Sequence, residues 1–182
     1  MTRGRLIAVV GPSGVGKDTL IRAMIAARPG LCRVRRVITR PADPDGEAHE
    51  PVSEAEFEAR RKDGGFALWW RAHGLSYGVP VGICLDLAGG RDLLVNLSRS
   101  VLSEAQTRFQ PFLVLNLTAP ADVLAARLAA RGRESGNELA ERLLWTDQML
   151  PEGVRPVVTL DTAAAPQRLA KLAIKALQAV RA

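Results

Sequence analysis

The chain has 182 residues, of which 47% are hydrophobic and 24% charged, enough apolar side chain for one packed domain and too much for wholesale disorder. No apolar run approaches the ~18 residues of a membrane span. The run Leu6 to Val10 breaks into Gly11-Pro12 and is too short for the core of a signal peptide, and Cys32 and Cys84 have no zinc-ligand or CxxC spacing, so a cytoplasmic protein with two inert thiols is expected. The formal charge of +6 rests on 21 Arg against 4 Lys, a balance that a bias towards Arg and Ala would also give. Eight aromatic residues do not alternate with the basic ones as stacking platforms would, so neither nucleic acid nor membrane is expected as a partner. Arginine suits a small phosphorylated substrate, because its fork matches phosphate oxygens.

In chain order, residues 5–10 read as a buried strand, followed by a Gly-rich turn and a helix over 17–27. A basic strand is expected over 32–39, then a polar, turn-rich stretch over 41–51. Ser53 caps a helix that runs to Lys62, with Glu56 in the capping-box position. Residues 66–71 read as a strand closing at a Tyr77-Gly78 turn. A helix over 80–87, a buried strand over 92–97, a helix over 100–108 and a strand over 112–117 follow. Helices over 120–130, with Pro120 in the first turn, and over 137–150 precede a last strand over 156–160. The final helix carries Leu169, Leu172, Ala173, Ala176, Leu177 and Val180 on one stripe. Strands alternating with helices predict a single α/β domain with a parallel sheet covered on both faces. Its core is expected over 1–38 and 81–182. The segment 39–80 breaks the rhythm and reads as a substrate-binding insert.

The strongest motif is Gly11-Pro12-Ser13-Gly14-Val15-Gly16-Lys17-Asp18-Thr19, the Gly-x4-Gly-Lys spacing of a P-loop between a strand and a helix. Its glycines let successive N–H groups turn inward at phosphate oxygens, the helix N-terminus adds its positive end, and Lys17 reaches the β- and γ-phosphates. These residues predict a nucleotide site. Asp18 stands where a hydroxyl residue normally holds Mg²⁺. It either binds the metal, directly or through water, or merely favours the helix N-terminus as an anion. The strand end Val95-Asn96-Leu97-Ser98 lacks the second acid that such a site usually has.

A second constellation is Arg127, Arg131, Arg133 and Arg142 around Arg131-Gly132-Arg133-Glu134. Arg127 and Arg131 share a helix face, Gly132 ends the helix, and the loop, a lid over about 131–137, reads as closing on the transferring phosphoryl group. A solvated basic face is the alternative. The third constellation joins Thr39-Arg40-Pro41 and His49 to Trp69-Trp70 and Gly74-Leu75-Ser76-Tyr77-Gly78. Arg40 and Tyr77 are candidates for an acceptor phosphate. His49 is either a polar contact to the acceptor or a half-buried histidine, His73 reads as a turn residue, and Trp69 and Trp70 point to opposite faces.

Over nearly its whole length the sequence resembles the guanylate-kinase-like branch of P-loop nucleotide kinases, in the order and spacing of the P-loop, Thr39-Arg40-Pro41, the Gly74 to Gly78 segment and Arg131-Gly132. The resemblance implies a five-stranded parallel core, an acceptor-binding lobe and a mobile lid. It departs from guanylate kinases proper where those have a guanine-reading glutamate, here Leu68. The small hydroxyl residue of that pocket is Arg36, the serine after Tyr-Gly is Pro80, and the second acceptor-phosphate arginine is Asp43. The sequence is similar in finer detail to the ribose 1,5-bisphosphate phosphokinases of phosphonate utilisation. The residues that carry this are Gly16-Lys17-Asp18, Ile38-Thr39-Arg40, Glu47-x-His49, Ser53-Glu54 with Phe57, Tyr77-Gly78-Val79, Val95-Asn96-Leu97-Ser98-Arg99 and Arg131-Gly132-Arg133-Glu134. Ala48 departs from the polar residue expected there.

That resemblance implies ATP as phosphoryl donor, Mg²⁺ as its metal and ribose 1,5-bisphosphate as acceptor, with 5-phospho-D-ribosyl 1-diphosphate as product. Lys17, Arg127, Arg131 and Arg142 would carry the transfer, Arg36 and Arg40 would suit the sugar phosphates, and Glu47 or His49 would reach a ribose hydroxyl. The loop Asp161-Thr162-Ala163 is expected near the base. A nucleoside monophosphate kinase of altered base specificity and a non-catalytic binding module are the alternatives. The oligomeric state is left open, a homodimer included.

Overall fold

The computed structural model describes residues 3–42, 47–131 and 149–180. Its centre is β1 (Leu6–Val10), buried at every position. The chain continues through α1 (Lys17–Ala27), β2 (Leu31–Arg33), β3 (Val37–Ile38), β4 (Glu50–Pro51), α2 (Glu54–Lys62), β5 (Phe66–Ala72), β6 (Leu75–Pro80) and α3 (Ile83–Ala88). It then forms β7 (Asp92–Asn96), a 3-10 turn, α4 (Leu102–Arg108), β8 (Phe112–Thr118), α5 (Ala121–Arg131), β9 (Val157–Asp161) and α6 (Pro166–Ala179). Five strands make one parallel sheet in the order β2-β7-β1-β8-β9. A parallel sheet needs cover on both faces, so its inner strands read as unbroken apolar runs. In β1, Leu6, Ala8 and Val10 pack with Ile83 and Leu87 of α3 and Leu102 and Ala105 of α4. Ile7 and Val9 face the opposite way, onto Leu20, Ile21 and Met24 of α1 and Leu169, Ala173 and Leu177 of α6.

A second sheet, β4-β3-β6-β5, stands apart from the first. In it β3 pairs parallel with β4 and antiparallel with β6, and β6 pairs antiparallel with β5. Helix α2 docks beside it. Ser53 Oγ accepts from Glu56 N at 3.2 Å, the expected cap, while the Glu56 carboxylate takes Arg60 Nη2 at 2.6 Å. The buried Phe57 stacks on Phe66, and Ser76 Oγ donates to Glu54 at 2.9 Å.

Several expected elements shift. The basic strand over 32–39 is two strands in two sheets. After Val34 N donates to Leu94 O the chain leaves β7, and Val37 pairs instead with Glu50 and Gly78. Tyr77-Gly78 is no turn but the middle of β6. The reversal falls at His73 and Gly74, both at positive φ (52° and 70°), as a two-residue hairpin loop demands. Gly78 serves packing there, since a Cβ would meet the Phe66 ring at 2.5 Å. Pro80 closes β6, so the helix expected from 80 starts at Ile83. The helix expected from Ser100 opens as a 3-10 turn, Arg99–Val101, capped by Ser98. Along α6 the buried line is Leu169, Ala170, Ala173 and Leu177, because α1 lies against the small Ala170 and Ala173, and Leu172 and Val180 are 47% and 45% exposed. The helix expected over 137–150 lies outside the described residues except Met149 and Leu150, which are not helical.

One buried ionic junction ties the start of the sheet to its end. Asp92, the first residue of β7, accepts from Arg5 N at 3.0 Å and from Arg5 Nη2 at 2.8 Å, while Arg5 Nη1 donates to the Leu177 carbonyl in α6. Removing one partner of such a pair strands the other charge in the core. Asp92→Ala should therefore lower stability by about 3–5 kcal/mol in urea unfolding. A loss below about 1 kcal/mol, the range of surface pairs, would show that the junction holds nothing.

Candidate functional site

Between β1 and α1 the chain makes a tight turn at the C-terminal edge of the sheet. At Gly11 (φ 148°) a Cβ would lie 2.6 Å from the Leu117 carbonyl oxygen, so the loop leaves β1 only through glycine. Gly16, in the left-handed region, launches α1, and a helix start leaves its first N–H groups without intrahelical partners. Lys17 Nζ bends back over this turn and donates to the carbonyls of Gly11 at 2.8 Å and Pro12 at 2.9 Å. The ammonium is thus held over the cradle formed by Pro12, Ser13, Gly14 and Val15. Thr19 is exposed one residue beyond Asp18.

Asp18 sits in a web of charge that sequence spacing alone did not predict. Its Oδ1 accepts from Arg33 Nη2 and from Asn96 Nδ2, the latter at 3.1 Å. Arg33 Nη2 is also 3.9 Å from Glu47 Oε1, and the Glu47 carboxylate is gripped by Arg36, with Arg36 Nε donating to Oε1 at 2.8 Å and Nη2 to Oε2. Arg36 and Glu47 are 8% and 9% exposed. The Arg36 guanidinium lies over Trp70 at 5.5 Å and Tyr77 at 5.1 Å, two rings stacked at 5.3 Å across β5 and β6. Burial works against the Glu47 charge, yet the Arg36 guanidinium with hydrogen bonds from Arg36 and Asn96 holds its pKa below the usual carboxylate range.

These residues fit Mg²⁺, which would be held by the Asp18 carboxylate and would supply charge neutralisation beside the phosphates. Asn96 Oδ1, buried and without a hydrogen-bond partner among the described residues, is a second hard oxygen beside Asp18. Among the described residues no three His, Cys, Asp or Glu side chains gather into a cage for a metal.

Of the other candidates, His49 is buried with both ring nitrogens on backbone carbonyls, Nδ1 2.9 Å from Glu47 O and Nε2 3.0 Å from Arg40 O. It fastens the two ends of the segment 41–46. Arg40 Nε is buried and has no hydrogen-bond partner, and Arg40 borders a cavity of about 300 Å³ with Thr39, Ser53 and Glu56. Trp69 is 41% exposed beneath Arg61, whereas Trp70 is 6% exposed. Arg127 is a clamp: its guanidinium donates to Val15 O at 3.2 Å in the P-loop and to Thr162 Oγ1 and O at 3.2 and 3.1 Å in the loop after β9. Arg131 closes α5, and Asp43, Arg133, Arg142 and the lid beyond Arg131 lie outside the described residues. The sequence reading missed Arg33, because one arginine among 21 carries no motif. It also missed the Arg127 to Thr162 link, which depends on β9 pairing with β8, the strand that leads into α5.

The chain matches no protein-family model. It is 49% identical over 180 residues to the ribose 1,5-bisphosphate phosphokinase PhnN of Ruegeria sp. (strain TM1040), covering 99% of this chain and 95% of that one. To the protein of the same name from Acidiphilium cryptum (strain JF-5) it is 52% identical over 143 residues, 77% of this chain and 76% of that one. Among solved structures, the guanylate kinase of Anaplasma phagocytophilum superposes with a TM-score of 0.69 at 16% identity, over 98% of this chain and 87% of that one. That likeness shows the fold, an α/β P-loop kinase fold with a five-stranded parallel sheet.

The buried Arg36–Glu47 pair gives a pH signature. Folding depresses the Glu47 pKa, so its contribution is complete above the unfolded value and is lost as pH falls through the folded one. Glu47→Gln should cost about 3 kcal/mol near neutral pH and should flatten the loss of stability on acidification to about pH 4 and below. Urea unfolding followed by tryptophan fluorescence measures both. Parallel pH profiles for the two proteins would remove Glu47 from the balance.

Proposed function

The chain belongs to the ribose 1,5-bisphosphate phosphokinase family, and on that footing we propose that it transfers the γ-phosphoryl group of ATP to the 1-phosphate of ribose 1,5-bisphosphate. The products are 5-phospho-D-ribosyl 1-diphosphate and ADP, in phosphonate catabolism and in the cytoplasm. The likeness to enzymes of that name spans both sheets, and this observation carries the reading.

The chemistry asks little of a general base. A phosphate monoester, with a second pKa near 6, is already an ionised nucleophile at neutral pH. One of its oxygens attacks the γ-phosphorus, the bond to the β–γ bridging oxygen breaks, and that oxygen leaves on ADP. The protein's work is to bring two polyanions together in line and screen them. Lys17 would exchange its loop carbonyls for the β- and γ-phosphates. Mg²⁺, held by Asp18, would supply the remaining charge neutralisation between the phosphates. Arg131 and Arg142 would close on the transferring group, while Arg127 holds the cradle to the loop beside the base.

On the acceptor side, Leu68 and Trp70 of β5 are buried in the apolar core. Neither has the paired acceptor that a guanine edge requires, and unpaired guanine donors are costly to bury. A sugar bisphosphate makes no such demand. Arg40 and Tyr77 would take its phosphates. Arg36, Glu47 and His49, which the structure buries on one another and on backbone carbonyls instead of leaving them open to a phosphate or a hydroxyl, would form the wall behind it. This favours the sugar over a nucleoside monophosphate, and Lys17 with the lid arginines favours an enzyme over a binding module.

Single-turnover transfer from labelled ATP with Mg²⁺, offered ribose 1,5-bisphosphate and GMP in parallel, tests the proposal. Label should pass to the sugar alone, and transfer to GMP would overturn the acceptor assignment. Lys17→Ala should slow transfer by about a thousandfold or more with an unchanged circular dichroism spectrum. Undiminished turnover in that variant would overturn the site.

A further inference from the structure

The Asp18 web contains a cation that the proposed reaction does not use. Arg33 lies at the edge of the main sheet, one side of its guanidinium on Asp18 Oδ1 and the same nitrogen 3.9 Å from Glu47 Oε1. Its side chain is only 18% exposed, so it is held by these partners rather than by water. A divalent cation and a guanidinium cannot both lie against one carboxylate oxygen without strong repulsion. Glu47, a second carboxylate within reach, belongs to the acceptor lobe.

We infer that Arg33 is an internal counter-cation of Asp18 that the metal displaces towards Glu47, so that it positions the Asp18 carboxylate and links metal loading to the acceptor lobe. The inference rests on the assignment of the metal to Asp18 above. With the metal absent, Arg33 keeps Asp18 from standing as an unpaired anion at the P-loop. When the metal takes Asp18, the guanidinium needs a move of little more than an ångström towards Glu47 to keep a full partner. Asn96 is placed to follow the same exchange, since its amide serves both carboxylates. No covalent step is involved, and the charge of the web rises only by that of the metal.

The consequence is competition, with a definite sign. Removing the Arg33 charge should make metal binding tighter, not weaker. The test is titration of Mn²⁺, read by electron paramagnetic resonance, into the full chain saturated with a non-hydrolysable ATP analogue. Arg33→Gln should lower the half-saturating Mn²⁺ concentration by roughly three- to tenfold, the range for a partly buried ion pair, and Arg33→Lys should stay close to the parent. Asp18→Asn should weaken Mn²⁺ binding and abolish the effect of Arg33→Gln when the two are combined.

Unchanged or weaker binding in Arg33→Gln overturns the inference while leaving the metal assignment intact, provided Asp18→Asn still weakens binding. Equal tightening in the presence and absence of the Asp18 carboxylate also overturns it, as that would be long-range charge rather than competition. Normal binding in Asp18→Asn overturns the metal assignment itself and the inference with it. Thermal melting of each variant separates these results from loss of fold.

Discussion

A site that gathers phosphate groups has to be cationic, and it has to stay folded while the phosphates are away. Lys17, Arg33, Arg36, Arg40 and Arg127 all converge on the region between the two sheets, and left alone their repulsion would open it. The structure answers four of these five charges, all but that of Arg40, with a local oxygen. Lys17 is held by the carbonyls of its own loop, Arg127 by Val15 and Thr162, Arg33 by Asp18, and Arg36 by Glu47. These partners differ in how readily they yield. Loop carbonyls surrender a lysine easily to a phosphate, whereas the buried bidentate carboxylate of Glu47 does not release Arg36 without leaving an unpaired charge in the interior.

That gradation sorts the site into moving and fixed parts. Arg36 sits between a carboxylate and a pair of stacked rings, with Glu47 and His49 pinned to the same lobe, so its guanidinium reads as a rigid wall. Binding sites need such walls, since a group held in place gives up little freedom when ligand arrives. The P-loop side is the adaptable one. Fixing the acceptor pocket and letting the donor side rearrange suits a reaction in which a small sugar must be aligned with a large nucleotide.

Much of this was legible beforehand, and the reasons are physical. Helix α1 falls on the expected residues because a Gly-rich turn can only end in a helix start at Lys17. The buried strands β1, β7 and β8 announce themselves as unbroken apolar runs, the mark of a sheet covered on both faces. What failed was local punctuation. Tyr77-Gly78 looks like a turn because glycine usually is one, yet here glycine makes room for the Phe66 ring, and the reversal falls at His73, which was read as a turn residue, with Gly74. Strand-favouring residues over 32–39 carry no mark of where the chain changes sheets. At the site, motif spacing pointed to residues near one another in the chain, and the long-range pairings of Arg33 with Asp18 and Arg127 with Thr162 were not read. Spacing along the chain reports on local geometry only.

The junction of Arg5 with Asp92 and the Leu177 carbonyl says something about how the molecule comes into being. Among the strands of the main sheet β1 comes first in chain order yet lies in the middle, and among the described residues its charged flank is satisfied by β7 and by α6. Neighbouring strands β7 and β8 must emerge before β1 has a place, and α6 must emerge before α1 has a full apolar cover. The apolar strand β1, and the phosphate cradle that follows it, are therefore made before the strands and the helix that cover them. Until α6 has been made, β1 is left to chaperones or to transient collapse for shielding, and a working cradle waits on that helix.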